Sequence, residues 1–118
     1  MQDYFPQSDF DRCIPSCLKE DMHPETMRKL NHARQMAGIP FLPTSAYRSP
    51  QHEKFMGRPG TSAHTKGRAI DLACVSSTHR MKMIQALLHA GFTRIGIAST
   101  FIHTDDDPSK PQNLIWTY

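Results

Sequence analysis

The sequence predicts an α+β fold, a small and mainly antiparallel sheet packed with two main helices. Three observations predict it. Segments 24–37 and 78–90 carry apolar residues at helical spacing between start and stop signals. Five other runs are short, apolar or β-branched, and bounded by Gly, Pro, Asp or Ser. These runs do not alternate with helices in the strand–helix–strand rhythm of a parallel sheet.

Residues 1–22 read as irregular, because Pro6 and Pro15 interrupt any helix. In the first helix, 24–37, Pro24 suits the first helical position, Glu25 the positive N-terminal end, and Gly38 the stop. Met27, Leu30, Ala33 and Ala37 share one face. A short strand follows at 41–46, then one or two helical turns at 50–55. Gly57, Pro59 and Gly60 mark 57–66 as a loop, which Gly67 closes. Residues 68–74 read as a buried strand. Ser76 and Ser77 are N-cap candidates for the second helix, about 78–90, with Met81, Ile84, Leu87 and Leu88 as its apolar face and Gly91 as its end. Short strands follow near 94–97 and 100–104, and a last one near 114–117 is placed at the sheet edge.

The chain has 118 residues, the length of one domain spanning 1–118, with no repeats or linkers. Hydrophobic residues make up 38% and charged residues 21%, which is globular rather than disordered. The net charge is +3 and the pI about 8.9, but the basic residues are scattered, so a nucleic-acid partner is not expected. No stretch reaches the ~20 apolar residues of a membrane span, and a monomer is expected. The N-terminus lacks the basic head and apolar run of a secretory leader. A cytoplasmic chain, a mature form, or a lysis enzyme released by another route all fit that. The odd count of three cysteines argues against a full disulfide framework. Cys13 and Cys17 are expected as free thiols, with a bridge between them as the alternative in an oxidising compartment.

The chemistry concentrates in two segments, Ser62–Asp71 and Phe101–Asp105. Asp71 stands mid-strand in an apolar run, sharing a face with the small Ala69 and Ala73, and a bare buried carboxylate is costly unless paired or metal-bound. His64 precedes it by seven residues, and the Gly67 loop can swing it back over the strand. His103 lies in the second run, with Asp105 on the same strand face about 6–7 Å further along and Thr104 on the other. Two imidazoles and one carboxylate would hold one zinc ion (Zn2+) with a position open for water, the pattern of catalytic rather than structural zinc. From its place, Asp105 could reach that water as a general base. Each residue also has a plainer reading. Asp105-Asp106-Asp107 before Pro108 could be a solvated turn. His23, His32, His52, His79 and His89 read as surface or satisfied residues.

These residues resemble the zinc D-alanyl-D-alanine peptidases of the hedgehog/DD-peptidase fold. That family's Ser-x-His-x-x-Gly-x-Ala-x-Asp is met at every fixed position by Ser62, His64, Gly67, Ala69 and Asp71. Thr44–Pro50 looks like the family's Ser-Gly-Tyr-Arg-Ser element. Gly96–Asp105 looks like the branch ending in Phe-Val-His-Val-Asp, and Trp116 fits that branch. The resemblance covers about residues 20–118. It implies that His64, Asp71 and His103 bind zinc, and that Arg48 binds a substrate carboxylate or steadies an oxyanion. It sets Ser62 and Tyr47 beside the substrate, Tyr47 by packing rather than by reacting. Many members carry an acidic base three residues before the distal His. Thr100 stands there instead, so Asp105 is taken as its replacement and Asp106 as the second choice. The implied activity is zinc-dependent hydrolysis of peptidoglycan stem peptides or cross-links, as a carboxypeptidase or an endopeptidase. The missing leader suggests an endolysin-like enzyme released by a holin. The alternative is a non-catalytic zinc-containing binding module of the same fold.

Overall fold

The computed structural model describes residues 2–118. The chain forms helices α1 (Gln7–Asp11), α2 (Pro24–Ala37), α3 (Pro50–Phe55) and α4 (Ser77–His89), and strands β1 (Pro43–Ser45), β2 (Ala69–Ala73), β3 (Arg94–Ile97), β4 (Phe101–Asp105) and β5 (Leu114–Thr117). Short 3-10 turns lie at Lys19–Asp21 and Ala63–Lys66. The sheet order is β1-β2-β4-β3-β5. Every pairing is antiparallel except β3 with β5, and β1 and β5 form the two edges.

The two long helices start and stop where their terminal chemistry dictates. At α2, His23 Nδ1 accepts from the Glu25 N–H, Pro24 occupies the first turn, and Gly38 at φ 67° turns the chain out of the helix. At α4, Ser76 Oγ accepts from the His79 N–H. Met27, Leu30 and Ala33 of α2 join Met83, Ala86 and Leu87 of α4 in one core cluster with Ile70, Leu72, Ile95 and Ile102 of the sheet. The helices therefore cover one face of the sheet and leave the other free for chemistry.

Two sequence expectations are corrected here. The apolar face assigned to α4 is displaced, since Met81 is 61% exposed and Leu88 45% exposed while Met83 and Ala86 are buried. The helix has apolar residues around much of its circumference, so periodicity alone did not choose the row that meets α2. The segment 1–22, expected to be irregular, contains α1 and a 3-10 turn within its described residues, 2–22. Pro6 sits at the N-cap of α1, where its missing N–H breaks no helical bond. Phe5, Phe10, Cys13 and Met22 are buried in the main core. The three cysteines are unbridged. Burial pushes the Cys13 thiol up to about 12, and it donates to the Asp9 carbonyl at 3.4 Å, so it behaves as an inert core group. No helix is long and apolar enough to cross a membrane.

Gly67 ends the 3-10 turn with φ 69°, in the left-handed region. The segment from Asp21 to His23 presses against it, and its carbonyl accepts from the His23 N–H at 2.8 Å. A Cβ there would lie 2.2 Å from the Asp21 carbonyl oxygen and 3.1 Å from Met22 Cα. Both contacts are backbone and cannot swing aside. Gly67→Ala is therefore expected to cost at least about 2 kcal/mol through left-handed strain and overpacking, measured as a lower urea midpoint. An unchanged midpoint would show that this loop is not under the constraint described.

Candidate metal centre

The site is built on the uncovered face of β2 and β4. Their register sets Asp71 directly opposite His103, and Ala69 opposite Asp105. Alternation along β4 sends Ile102 and Thr104 towards the helices and His103 and Asp105 the other way. The small side chains of Ala69 and Ala73 leave space around the Asp71 carboxylate. His64 arrives from the 3-10 turn just before Gly67.

The three side chains converge. One ligand atom from each of His64, Asp71 and His103 lies within 4.8 Å of the others. His64 Nε2 is 3.6 Å and His103 Nδ1 2.9 Å from the same oxygen, Asp71 Oδ1. Two ligands of a tetrahedral zinc, each about 2.0–2.1 Å from the ion, would be separated by roughly 3.3–3.4 Å, so these spacings bracket a zinc site.

Hydrogen bonds choose which ring nitrogens face inward. His64 Nδ1 lies 2.6 Å from the Ala46 carbonyl oxygen, which can only accept, so Nδ1 carries the proton and Nε2 offers its lone pair. His103 Nε2 lies 2.7 Å from Asp105 Oδ2, which leaves Nδ1 towards Asp71 and His64. Rings held through their outer nitrogens by a carbonyl and a carboxylate are the usual support of histidine metal ligands. The donor set fits zinc. These groups also contact one another. Burial alone would lower the His103 pKa, but its hydrogen bonds to Asp105 and Asp71 outweigh burial and raise it. Burial opposes ionisation of Asp71, but the imidazoles of His103 and His64 hold its carboxyl well below the usual range.

Asp105 reaches this site from behind the His103 ring. It is 1% exposed, and both of its oxygens are occupied. Oδ2 meets His103, while Oδ1 accepts from Arg94 Nε at 2.8 Å and from the Asp107 N–H at 3.2 Å. Burial would raise its pKa, but His103 first, then the Asp107 N–H and Arg94, hold it low. These contacts suit a group that orients a ligand more than one that takes a proton from water. Asp106 turns away from the site, to Thr26 Oγ1 at 2.6 Å, Lys29 Nζ at 3.2 Å and Arg68 Nη1 at 3.2 Å. Asp107 is fully buried against Lys66 and Ser109. The solvated-turn reading of this triplet is thus corrected, since each carboxylate is itself buried and has a partner from a distant segment. Thr100 is exposed in the turn before β4.

Arg48 lines the same cavity, which has a volume of about 480 Å³. Its backbone N–H bonds the His64 carbonyl at 3.2 Å, and its Nε lies 3.1 Å from Glu53 Oε2, where the angle leaves that N–H without a hydrogen bond. Ser62 donates to the same Glu53 oxygen at 2.5 Å, so its hydroxyl is committed within the protein. Tyr47, expected beside the substrate, packs against the core and does not line this cavity. Its neighbour Arg48 takes the inward direction in the chain segment after β1. Glu53, which is 1% exposed, went unnoticed in the sequence, as did Arg94. Glu53 follows the Ser49-Pro50 helix start on a short α3 whose one large apolar residue, Phe55, is exposed, a pattern that gives no sign of Glu53's burial. Phe101, Trp116 and Tyr118 form an aromatic side of the cavity. Trp116 lies 5.5 Å from the His103 ring and against Gly96, where a Cβ would come within 2.7 Å of the indole.

A family model described as Peptidase M15 matches residues 7–105. No curated protein matches the chain in sequence.

Asp107 joins the end of β4 to the His64 turn through Lys66, at 2.8 Å. Burial opposes its ionisation, but Lys66 and Ser109 hold its carboxyl at about 2, against an ordinary value of 3.8. The depressed value belongs to the folded state. Its stabilisation is therefore complete above pH ~5 and disappears as pH falls through about 2, a contribution of about 2 kcal/mol. Urea unfolding of the wild type and Asp107→Asn should accordingly differ by about 2 kcal/mol less at pH 2 than at pH 6. A difference independent of pH would remove the ion pair from the account.

Proposed function

The chain belongs to the peptidase M15 family, and from that premise we propose that it hydrolyses peptidoglycan peptides, either stem peptides or cross-links containing D-amino acids. As a family member it is a metallopeptidase. The single observation that carries the reading is the convergence of His64 Nε2, Asp71 Oδ1 and His103 Nδ1 beside Arg48 in one cavity.

In this reading His64, Asp71 and His103 hold zinc. When bound, zinc supplies an acidified water and a Lewis acid for the scissile carbonyl. The protein's own groups do the rest. The Ala46 carbonyl keeps His64 in the tautomer whose Nε2 can coordinate. Asp105, steadied by Arg94, does the same for His103 Nδ1 and acts as a positioning residue. This replaces the role of general base expected for it, because neither of its oxygens is free. Arg48 presents its guanidinium to an oxyanion or a carboxylate of the peptide, with Glu53 holding its Nε side. Ser62 supports Glu53 rather than the substrate. A second reading, a zinc-containing binding module, is favoured by one observation: Thr100, exposed in its turn, puts no acid where the family's base stands.

Clearing of purified cell walls, abolished by a chelator and restored by zinc, separates the two readings. Intact walls with a full complement of zinc would favour the module. Mass analysis of digested muropeptides then identifies the bond. His103→Ala should lose zinc and wall clearing while keeping its far-ultraviolet dichroism. Asp105→Asn should weaken zinc affinity by about 10–100-fold, and saturating zinc should recover much of its activity. If Asp105 served as the base instead, zinc affinity would hold and the activity would stay lost at any zinc concentration.

A further inference from the structure

The cavity carries more positive charge than the metal centre needs. Its wall contains four cations, Arg48, Arg58, Arg94 and Lys110, and three carboxylates, Glu53, Asp71 and Asp105. Arg48 faces Glu53, and Arg94 faces Asp105. Asp71 belongs to the metal centre, where a divalent ion would more than cancel its charge. Arg58 and Lys110 are left over.

These two residues share one rim. Arg58 is exposed and forms an ion pair with no carboxylate among the described residues; its backbone N–H bonds the Glu53 carbonyl at 2.8 Å. Lys110 Nζ donates to the Thr61 carbonyl at 3.3 Å, three residues along the same loop from Arg58. The nearest carboxylate oxygen to it, Asp107 Oδ2, is 3.9 Å away and is held more closely by Lys66 at 2.8 Å. Another side of the cavity is aromatic, with Phe101 and Tyr118 5.4 Å apart between ring centroids. Such a cavity attracts anions along its cationic rim.

We propose that Arg58 and Lys110 form an anion subsite that selects acidic peptides, by binding a substrate carboxylate distinct from the group that meets Arg48. The inference rests on the peptidase reading. It adds that the enzyme prefers a peptide with a carboxylate side chain displaced from the cleaved bond.

The test uses matched peptides that differ only as Glu or Gln, with that residue moved through two positions on each side of the cleaved bond. The zinc-loaded enzyme should show higher kcat/KM for the acidic member at one of those positions, by roughly two- to fivefold, the size expected of solvent-accessible ion pairs. The preference should shrink in 0.5 M salt, where charges are screened within about 4 Å. In Arg58→Gln/Lys110→Gln the ratio should fall to near one, and in Arg58→Glu it should fall further. Arg58→Gln alone, at an exposed position, gives the same direction if the double variant folds poorly. A wild-type ratio of one at every position, or a ratio that these variants leave unmoved, overturns the subsite while hydrolysis itself upholds the peptidase reading. If the wild type cuts neither peptide, the peptidase reading falls instead. Binding then decides the subsite through the fluorescence of Trp116, the sole tryptophan. Tighter binding of the acidic peptide supports the subsite, and equal affinities overturn it.

Discussion

The register between β2 and β4 is the constraint on which the site depends. Asp71 and His103 are 32 residues apart in sequence yet face each other across one ladder. A slip of one residue would send either side chain into the core and bring Leu72 or Ile102 to the site. That slip is opposed by the apolar set on the opposite face, since Ile70, Leu72 and Ile102 are fully buried. The hydrophobic core therefore places two of the three candidate ligands without touching either. The third depends on backbone too, because the Gly67 turn is clamped by the segment preceding α2.

A second level of order is electrostatic. The triplet Asp105-Asp106-Asp107 leaves the end of β4 and divides three ways. Asp105 turns to His103 and Arg94, Asp106 to α2 and Arg68, and Asp107 to Lys66 of the His64 turn. Each carboxylate is desolvated and each has a cationic or hydrogen-bonding partner from another segment, the condition under which burying charge is tolerable. The hub joins the sheet, the first long helix and the ligand-bearing turn. Trp116 completes it from the edge strand, lying over Gly96 and beside His103, with the Arg94 guanidinium 5.0 Å from its ring. A tail strand thus forms part of the wall behind a ligand.

Much of this arrangement can be read along the chain. The caps of α2 and α4, the edge position of β5 and the small neighbours of Asp71 follow from local rules that act over a few residues. The motif from Ser62 to Asp71 and the distal His103 name the three converging side chains. The roles of the groups around them cannot be read in this way. Asp105 lies on the face that alternation assigns, but whether its oxygens meet water or an imidazole depends on the rotation of His103 and on Arg94, eleven residues away. Glu53 looks like any polar residue of a short helix until Arg48 and Ser62 close over it.

The sequence by itself determined the two long helices and the five strands, their order, and which residues could ligate a metal, because helical period, capping and strand alternation are short-range properties. The tertiary structure alone decided three further things. It chose the buried row of α4, drew Phe5, Phe10, Cys13 and Met22 into the core, and set which nitrogen of each imidazole faces inward. The first two turn on contacts between segments distant in the chain, and the third combines such contacts, Ala46 with His64 and Asp71 with His103, with the neighbouring Asp105. No local propensity encodes them, since the free energy that selects them exists only once the partners have met.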